Sequence, residues 1–223
     1  MTGRWRIGLF VVVVLAGLIW VIISFAAGPE STTAGSATLR SAVAGLPVAE
    51  EGRAGYARER FTHWVDDDRD SCDTRDEVLL AEAPTGTPTG QRCSVGSGQW
   101  YSYYDNATWS APADLDIDHL VPLAEAWDSG ASAWTPDQRR AYANDLGDER
   151  SLVAVTDNVN QAKADQDPAT WLPPYEPARC RYIGEWVAVK LRWRLTVDPA
   201  EQATLTTWAD RCPPVTITAT PAR

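Results

Sequence analysis

The sequence predicts an α+β fold, and three observations carry that expectation. Residues 115–120 alternate apolar and polar side chains, the period of a half-buried strand. Residues 151–156 form a second short, β-rich run. Tyr182, Trp186, Val189 and Trp193 recur at spacings of four, three and four, the apolar stripe of a helix packed on a core. A chain of 223 residues, 44% hydrophobic with eleven Trp, has the material for one substantial core and is not a disordered chain.

At the N-terminus, Arg4 and Arg6 precede an uncharged run over residues 7–27. A bilayer needs roughly 20 such residues as a helix, so this segment is predicted to be a hydrophobic helix. Its arginines keep the first residues in the cytoplasm and place the remainder outside, at the cell surface or free of the cell. Residues 1–28 are either a signal peptide, with small residues at Ser24, Ala26 and Ala27, or a transmembrane anchor. The length of the run favours the anchor, which would make the membrane a partner; no protein partner is evident. Residues 29–49 have the Ser, Thr, Ala and Gly composition of a flexible linker. The folded domain is expected over 50–212, followed by a disordered tail at 213–223.

Within the domain, Tyr56, Arg60 and Trp64 at four-residue spacing predict a short helix over 53–64, with His63 as a surface or structural residue. The acidic run at 66–70 lacks the glycine of a calcium loop at its sixth position, Ser71, and reads as a solvated turn. Thr74 and Glu77 form a capping box for a helix reaching Ala83. Gly96-Ser97-Gly98 is expected to turn a hairpin between residues 91–95 and 99–104, with Trp100, Tyr101, Tyr103 and Tyr104 packed in the core. Asn106 and Thr108 complete a glycosylation sequon that carries little weight.

Period two puts Asp116, Asp118 and Leu120 on one face of the 115–120 strand and Ile117 and His119 on the other, and Pro122 stops it. A helix follows over 123–127, with Glu125 exposed and Ser129-Gly130 as its end. Thr135, Pro136 and Gln138 supply the N-cap, first-turn proline and reciprocal cap of a helix reaching about Asn144. Arg139 and Arg140 on it are assigned to solvent, with a nucleic-acid contact as the alternative. After the second strand, Asp157 or Asn158 caps a short helix bearing Asn160 and Lys163 on one face. Asp167-Pro168 opens a turn anchored by Trp171, and Asp198 to Glu201 caps a final helix reaching Arg211.

The four cysteines, Cys72, Cys93, Cys180 and Cys212, have no C-x-x-C spacing, and an exported chain matures in an oxidising compartment, so two disulfides are expected. Of the three connectivities, Cys72–Cys93 with Cys180–Cys212 is favoured because each closes a local loop.

Chemistry concentrates at Asp118-His119 and at Asn158 to Lys163, which hold one of two histidines and one of two lysines in the chain. A neutral imidazole takes a proton from water. A carboxylate and a carboxamide are hard oxygen ligands suited to a hydrated divalent ion. A lysine adds a fixed positive charge for an anionic substrate. Together these suit hydrolysis of a phosphodiester.

Asp118-His119-Leu120-Val121-Pro122, followed by Ser151-Leu152 and Asn160-Gln161-Ala162-Lys163, resembles the HNH, or ββα-metal, nuclease superfamily. The wording over 116–127, 157–163 and 167–173 looks like secreted bacterial HNH endonucleases related to the C-terminal domain of GmrSD-type restriction endonucleases. The resemblance implies a ββα-metal core over 98–174 with additional packed helices. It implies His119 as general base, Asp118 and Asn160 as ligands of one divalent metal ion, Mg²⁺ first and Mn²⁺ or Zn²⁺ next, and Lys163 facing the phosphate. It implies DNA, or RNA, as substrate. One position departs: Ser151 stands where the family has the asparagine that braces the histidine's loop, and Asn144 or Asn158 would have to brace it instead.

Composition opposes this reading at one point. The formal charge is −10, whereas nucleic-acid binders are commonly basic. A bound metal would add local positive charge, and Arg139, Arg140, Arg150, Arg179, Arg181, Arg192 and Arg194 would either form a basic face or lie scattered. The alternative is a non-catalytic cell-surface binding module on the same scaffold.

Overall fold

The computed structural model describes residues 35–83, 93 and 95–222. The first described elements are strand β1 (Gly35–Thr38) and helix α1 (Leu39–Ala44), then helix α2 (Thr74–Glu82), and a hairpin of β2 (Trp100–Ser102) and β3 (Ala107–Trp109). Strand β4 (Leu115–His119), helix α3 (Leu123–Asp128) and helix α4 (Pro136–Ala143) lead to strand β5 (Leu152–Thr156), which runs directly into helix α5 (Asp157–Lys163). Helices α6 (Arg179–Trp193) and α7 (Pro199–Arg211) and strand β6 (Thr216–Ala219) complete the chain. The α+β class therefore holds, with three separate two-stranded antiparallel sheets among the described residues, β1–β6, β2–β3 and β4–β5.

The β4–β5 ribbon divides the interior. Ile117 pairs with Ala154 and Leu115 with Thr156, so their side chains share one face and pack with Val78, Leu79 and Trp100. Asp118 pairs with Val153 on the opposite face, toward the larger core around α6. The alternation expected from sequence is thus real, and both faces are covered. Helix α6 supplies the large side chains of that core, with Tyr182, Ile183 and Trp186 wholly buried. A Cβ at Gly184 would come within 3.3 Å of Ile217, so glycine lets α6 approach β6 closely.

Both expected disulfides form, Cys72–Cys93 and Cys180–Cys212, the second joining α6 to the end of α7. The capping box of Thr135 and Gln138 is present, and Asp198 caps α7 through Ala200 and Glu201 N–H. Helix α2 is capped one residue earlier than expected, by Asp73 accepting from Asp76 N–H.

Several expectations are corrected. Residues 35–46, placed in a linker, form β1 and α1, and the tail at 213–223, expected to be disordered, contains β6. The physical reason is apolar burial: Leu39, Val43, Leu46 and Ile217 are inside, each worth roughly 1.5–3 kcal/mol. That offsets part of the conformational entropy lost on ordering these segments. The helix expected over 53–64 is only a 3-10 turn at Arg58–Arg60. Gly55 and Trp64 adopt positive φ on either side, and Tyr56 and Phe61 are fixed by edge contacts with Trp127 rather than by helical neighbours. The hairpin turns through residues 103–106, with Asn106 at φ 61°, and not through Gly96-Ser97-Gly98. Residues 91, 92 and 94 of the expected first strand lie outside the described residues, as does the hydrophobic helix at 7–27. Among the described residues no helix is long and apolar enough to cross a membrane.

Candidate active site

β5 runs antiparallel to β4 with Thr156 opposite Leu115, and α5 returns along β4 from there, so that Asn160 reaches Asp116 and Lys163 reaches Asp118, next to His119 at the strand's end. An open cleft with a volume of about 300 Å³ lies there, lined by Asp118, His119, Asn160, Gln161, Tyr56 and Arg58 among others. Two of the segments singled out from sequence therefore converge on one cavity. Its third wall, carrying Tyr56 and Arg58, was not anticipated.

The His119 ring is fixed from behind. Its Nε2 lies 2.9 Å from the Ala143 carbonyl oxygen, and a carbonyl only accepts, so Nε2 carries the proton and Nδ1 the lone pair of the neutral ring. Trp64 and Tyr142 lie roughly parallel to the imidazole, at centroid distances of 5.5 and 6.4 Å. Burial pushes its pKa down to about 3, against the Ala143 hydrogen bond, and the charges of Arg58, His63 and Lys163 add to the fall. The ring is thus neutral at physiological pH. His63, expected to be a surface or structural residue, stands 6.4 Å from it and is half-buried.

Asp118 and Lys163 form a buried pair. Lys163 Nζ donates to Asp118 Oδ1 at 2.9 Å and lies 2.8 Å from Oδ2, and it also donates to the His119 carbonyl at 3.2 Å. The Tyr104 hydroxyl donates to Asp118 Oδ2 at 2.6 Å. Burial raises the Asp118 pKa against the pull of Lys163 and Tyr104, and burial lowers that of Lys163 against the pull of Asp118. Lys163 has no exposed surface. The expected phosphate-facing lysine therefore stands behind the cleft wall and holds the carboxylate. Tyr104 was read as core, and it is buried, but its hydroxyl belongs to this site; alternation in the hairpin gave no signal of that.

Asn160 donates through Nδ2 to Asp116 Oδ2 at 3.3 Å, which leaves its carbonyl oxygen as the available ligand atom. Ser151 donates through Oγ to Asp145 Oδ2 at 2.7 Å. Asp145 also receives Arg192 and Trp193, fixing the loop just after the Ala143 carbonyl. Bracing of His119 thus comes from the main chain, with Ser151 one step removed. The Asn144 amide is spent on the Thr62 and Arg140 carbonyls, and Asn158 is exposed.

A divalent ion is compatible with these donors. An ionised carboxylate has about four lone-pair positions; three of those on Asp118 are taken, and Asn160 adds a second hard oxygen lining the same cleft. Two protein oxygens with the remaining positions left to water suit Mg²⁺ better than a closed zinc site. Three-carboxylate groupings occur elsewhere, including Asp66, Asp68 and Asp70. Those three are exposed and accept N–H groups of their own turn, as a solvated turn would.

Other expectations change. Glu125 is buried, not exposed, because Lys190 reaches it at 2.6 Å. Arg139 is buried against main-chain carbonyls, including that of Ala131. Arg140, Arg150, Arg181 and Arg192 pair with Asp67, Asp148, Glu185 and Asp145, so they do not form a free basic face.

Fold and site together define an α+β protein whose cleft joins a buried neutral histidine to a carboxylate and an amide. The chain belongs to the family of GmrSD restriction endonucleases, C-terminal domain, whose model matches residues 58–208. A protein of the fungus Arthroderma benhamiae, described as an uncharacterized secreted protein, is 44% identical over 178 residues, covering 79% of this chain and 86% of the relative. The expected restriction to bacterial proteins finds no support in a fungal relative. No solved structure matches the chain.

Proposed function

We propose that this protein is an exported, metal-dependent endonuclease of the HNH type that hydrolyses phosphodiester bonds in DNA or RNA, with β4, β5 and α5 as its ββα unit. One observation carries the reading: the Ala143 carbonyl fixes the His119 tautomer so that Nδ1 is a proton acceptor, in the same cleft as Asp118 and Asn160. Family membership supports the reaction class, and the secreted fungal relative supports export.

In this reading His119 Nδ1 takes the proton of the attacking water. Asp118 and Asn160 would hold the ion, Mg²⁺ or Mn²⁺, which when bound supplies charge stabilisation on the phosphate oxygens. Lys163 and Tyr104 orient Asp118 and do not touch substrate. Trp64 and Tyr142 lie against the His119 ring and fix its direction.

The test is cleavage of plasmid and single-stranded DNA and of RNA by the purified chain, with Mg²⁺, Mn²⁺ or EDTA, beside His119→Ala. Metal-dependent cutting lost in the variant is expected; equal cutting by both proteins would overturn the assignment. A second reading, a binding module without catalysis, is favoured by the fact that Lys163 already neutralises Asp118. It requires that the folded chain does not cut nucleic acid with any metal.

A further inference from the structure

A phosphodiester brings a full negative charge into the cleft, and the cations around it are already partly committed. Lys163 is spent on Asp118 behind the wall. Arg53 is shared between Asp128 and Asp165. Arg58 differs from both. It lines the cleft with Asp118, His119 and Asn160, it is exposed, and among the described residues its guanidinium makes no hydrogen bond or ion pair.

Its base is firm although its end is free. The 3-10 turn at Arg58–Arg60 is closed by Phe61 N–H donating to the Arg58 carbonyl. Phe61 has no exposed surface, and Tyr56, two residues before Arg58, packs its ring against Trp127. The turn therefore cannot swing away without opening the aromatic cluster, while the side chain remains able to reach across the cleft. Arg58 is also near enough for its charge to act on the His119 imidazole.

Resting on the nuclease reading above, we propose that Arg58 is the substrate-contacting cation of this cleft and binds a phosphate of the nucleic-acid strand beside His119. A guanidinium presents two parallel N–H donors to two phosphate oxygens, which fixes orientation as well as charge. Asp165, on the same cleft, is paired with Arg53, which offsets part of its charge beside the phosphate. The chain's overall charge of −10 gives no long-range attraction to nucleic acid. A single well-placed cation should then account for a measurable share of the salt dependence of binding.

The experiment measures binding of short fluorescein-labelled single-stranded DNA to the full chain carrying His119→Ala, with Mg²⁺, over salt from about 50 to 200 mM. Arg58→Ala, Arg58→Lys and a distant control, Arg40→Ala, are placed in the same background. For Arg58→Ala the dissociation constant is expected to rise roughly tenfold, and the slope of log affinity against log salt to fall by about 0.7. Arg58→Lys should keep the slope and lose part of the affinity, and Arg40→Ala should match the parent. In the otherwise natural chain, Arg58→Ala should raise KM more than it lowers kcat, with an unchanged melting temperature. Unchanged binding and slope in Arg58→Ala, in a chain that does cut nucleic acid, overturns the Arg58 proposal alone. A natural chain that neither binds nor cuts nucleic acid overturns the nuclease reading and this proposal with it.

Discussion

Lys163, behind the cleft, and Lys190, on the buried face of α6, are the chain's two lysines, and both are wholly buried. Lys163 faces one carboxylate, Asp118, and one main-chain carbonyl. Lys190 faces two carboxylates, Glu125 at 2.6 Å and Glu201 at 3.1 Å, with Ser129 Oγ and the Thr196 carbonyl completing its sphere. Burial lowers the pKa of each, but at Lys190 the two glutamates outweigh it and its pKa is raised, whereas at Lys163 burial wins. The second carboxylate makes one pair a structural clamp. Its absence leaves the other pair with the Asp118 pKa raised and the Lys163 pKa lowered by burial, next to the groups proposed to do chemistry.

The largest effect expected from this contrast is at Lys190. Lys190→Met strands Glu125 and Glu201 in the core and should cost about 3–5 kcal/mol, read as a lowered guanidinium chloride midpoint. A loss below about 1 kcal/mol would show that the clamp is not structural. Lys163→Met should cost less, about 1–3 kcal/mol, because Asp118, its pKa already raised by burial, takes up a proton. Cleavage should nevertheless be lost, since the carboxylate is no longer held. Parallel losses of stability in the two variants, with activity retained in Lys163→Met, would erase the distinction.

The two regions should also respond oppositely to pH. His119 has a pKa lowered from 6.5 to about 3, so the native state binds fewer protons there than the unfolded chain. Its contribution is present above pH 6.5 and is lost as pH falls toward 3. Glu201 has a pKa raised from 4.5 to about 7, by burial first and Glu125 after it, despite Lys190. Its contribution is present below pH 4.5 and is lost as pH rises through 7, on the order of 1–3 kcal/mol. Glu82, raised to about 7 by burial, adds to the same limb. Urea titrations across pH should show Glu201→Gln flattening the alkaline limb and His119→Gln the acid limb; identical profiles would refute the assignment. The smallest expected effect is that of Tyr104→Phe, which removes one hydrogen bond from Asp118 at about 1 kcal/mol. It should also raise the Asp118 pKa further, observable by carboxyl NMR.

Much of the site was legible because its parts are local. Asp118 and His119 are neighbours, Asn160 and Lys163 share a helical face, and Pro122 marks where β4 ends. The caps at Thr135 and Asp198 act within three residues, so sequence spacing alone displays them. Their partners were not legible. Tyr104 reads as any core aromatic until β4 brings Asp118 under its hydroxyl, and the brace of His119 is the Ala143 carbonyl, a group every residue possesses. Glu125 has the spacing of a solvent-facing residue, and only α6, arriving 65 positions later, buries it.

The sequence by itself determined the α+β class, the two strands and the helix of the candidate site, the residue types that meet there and the pairing of the cysteines. Tertiary structure decided which charges face the cleft and which are consumed inside. It turned Lys163 inward, left Arg58 open, and paired β1 with β6 across almost the whole chain. The reason is physical: capping and periodicity are energies between residues a turn apart, while desolvation depends on everything packed around a group, most of it distant in sequence.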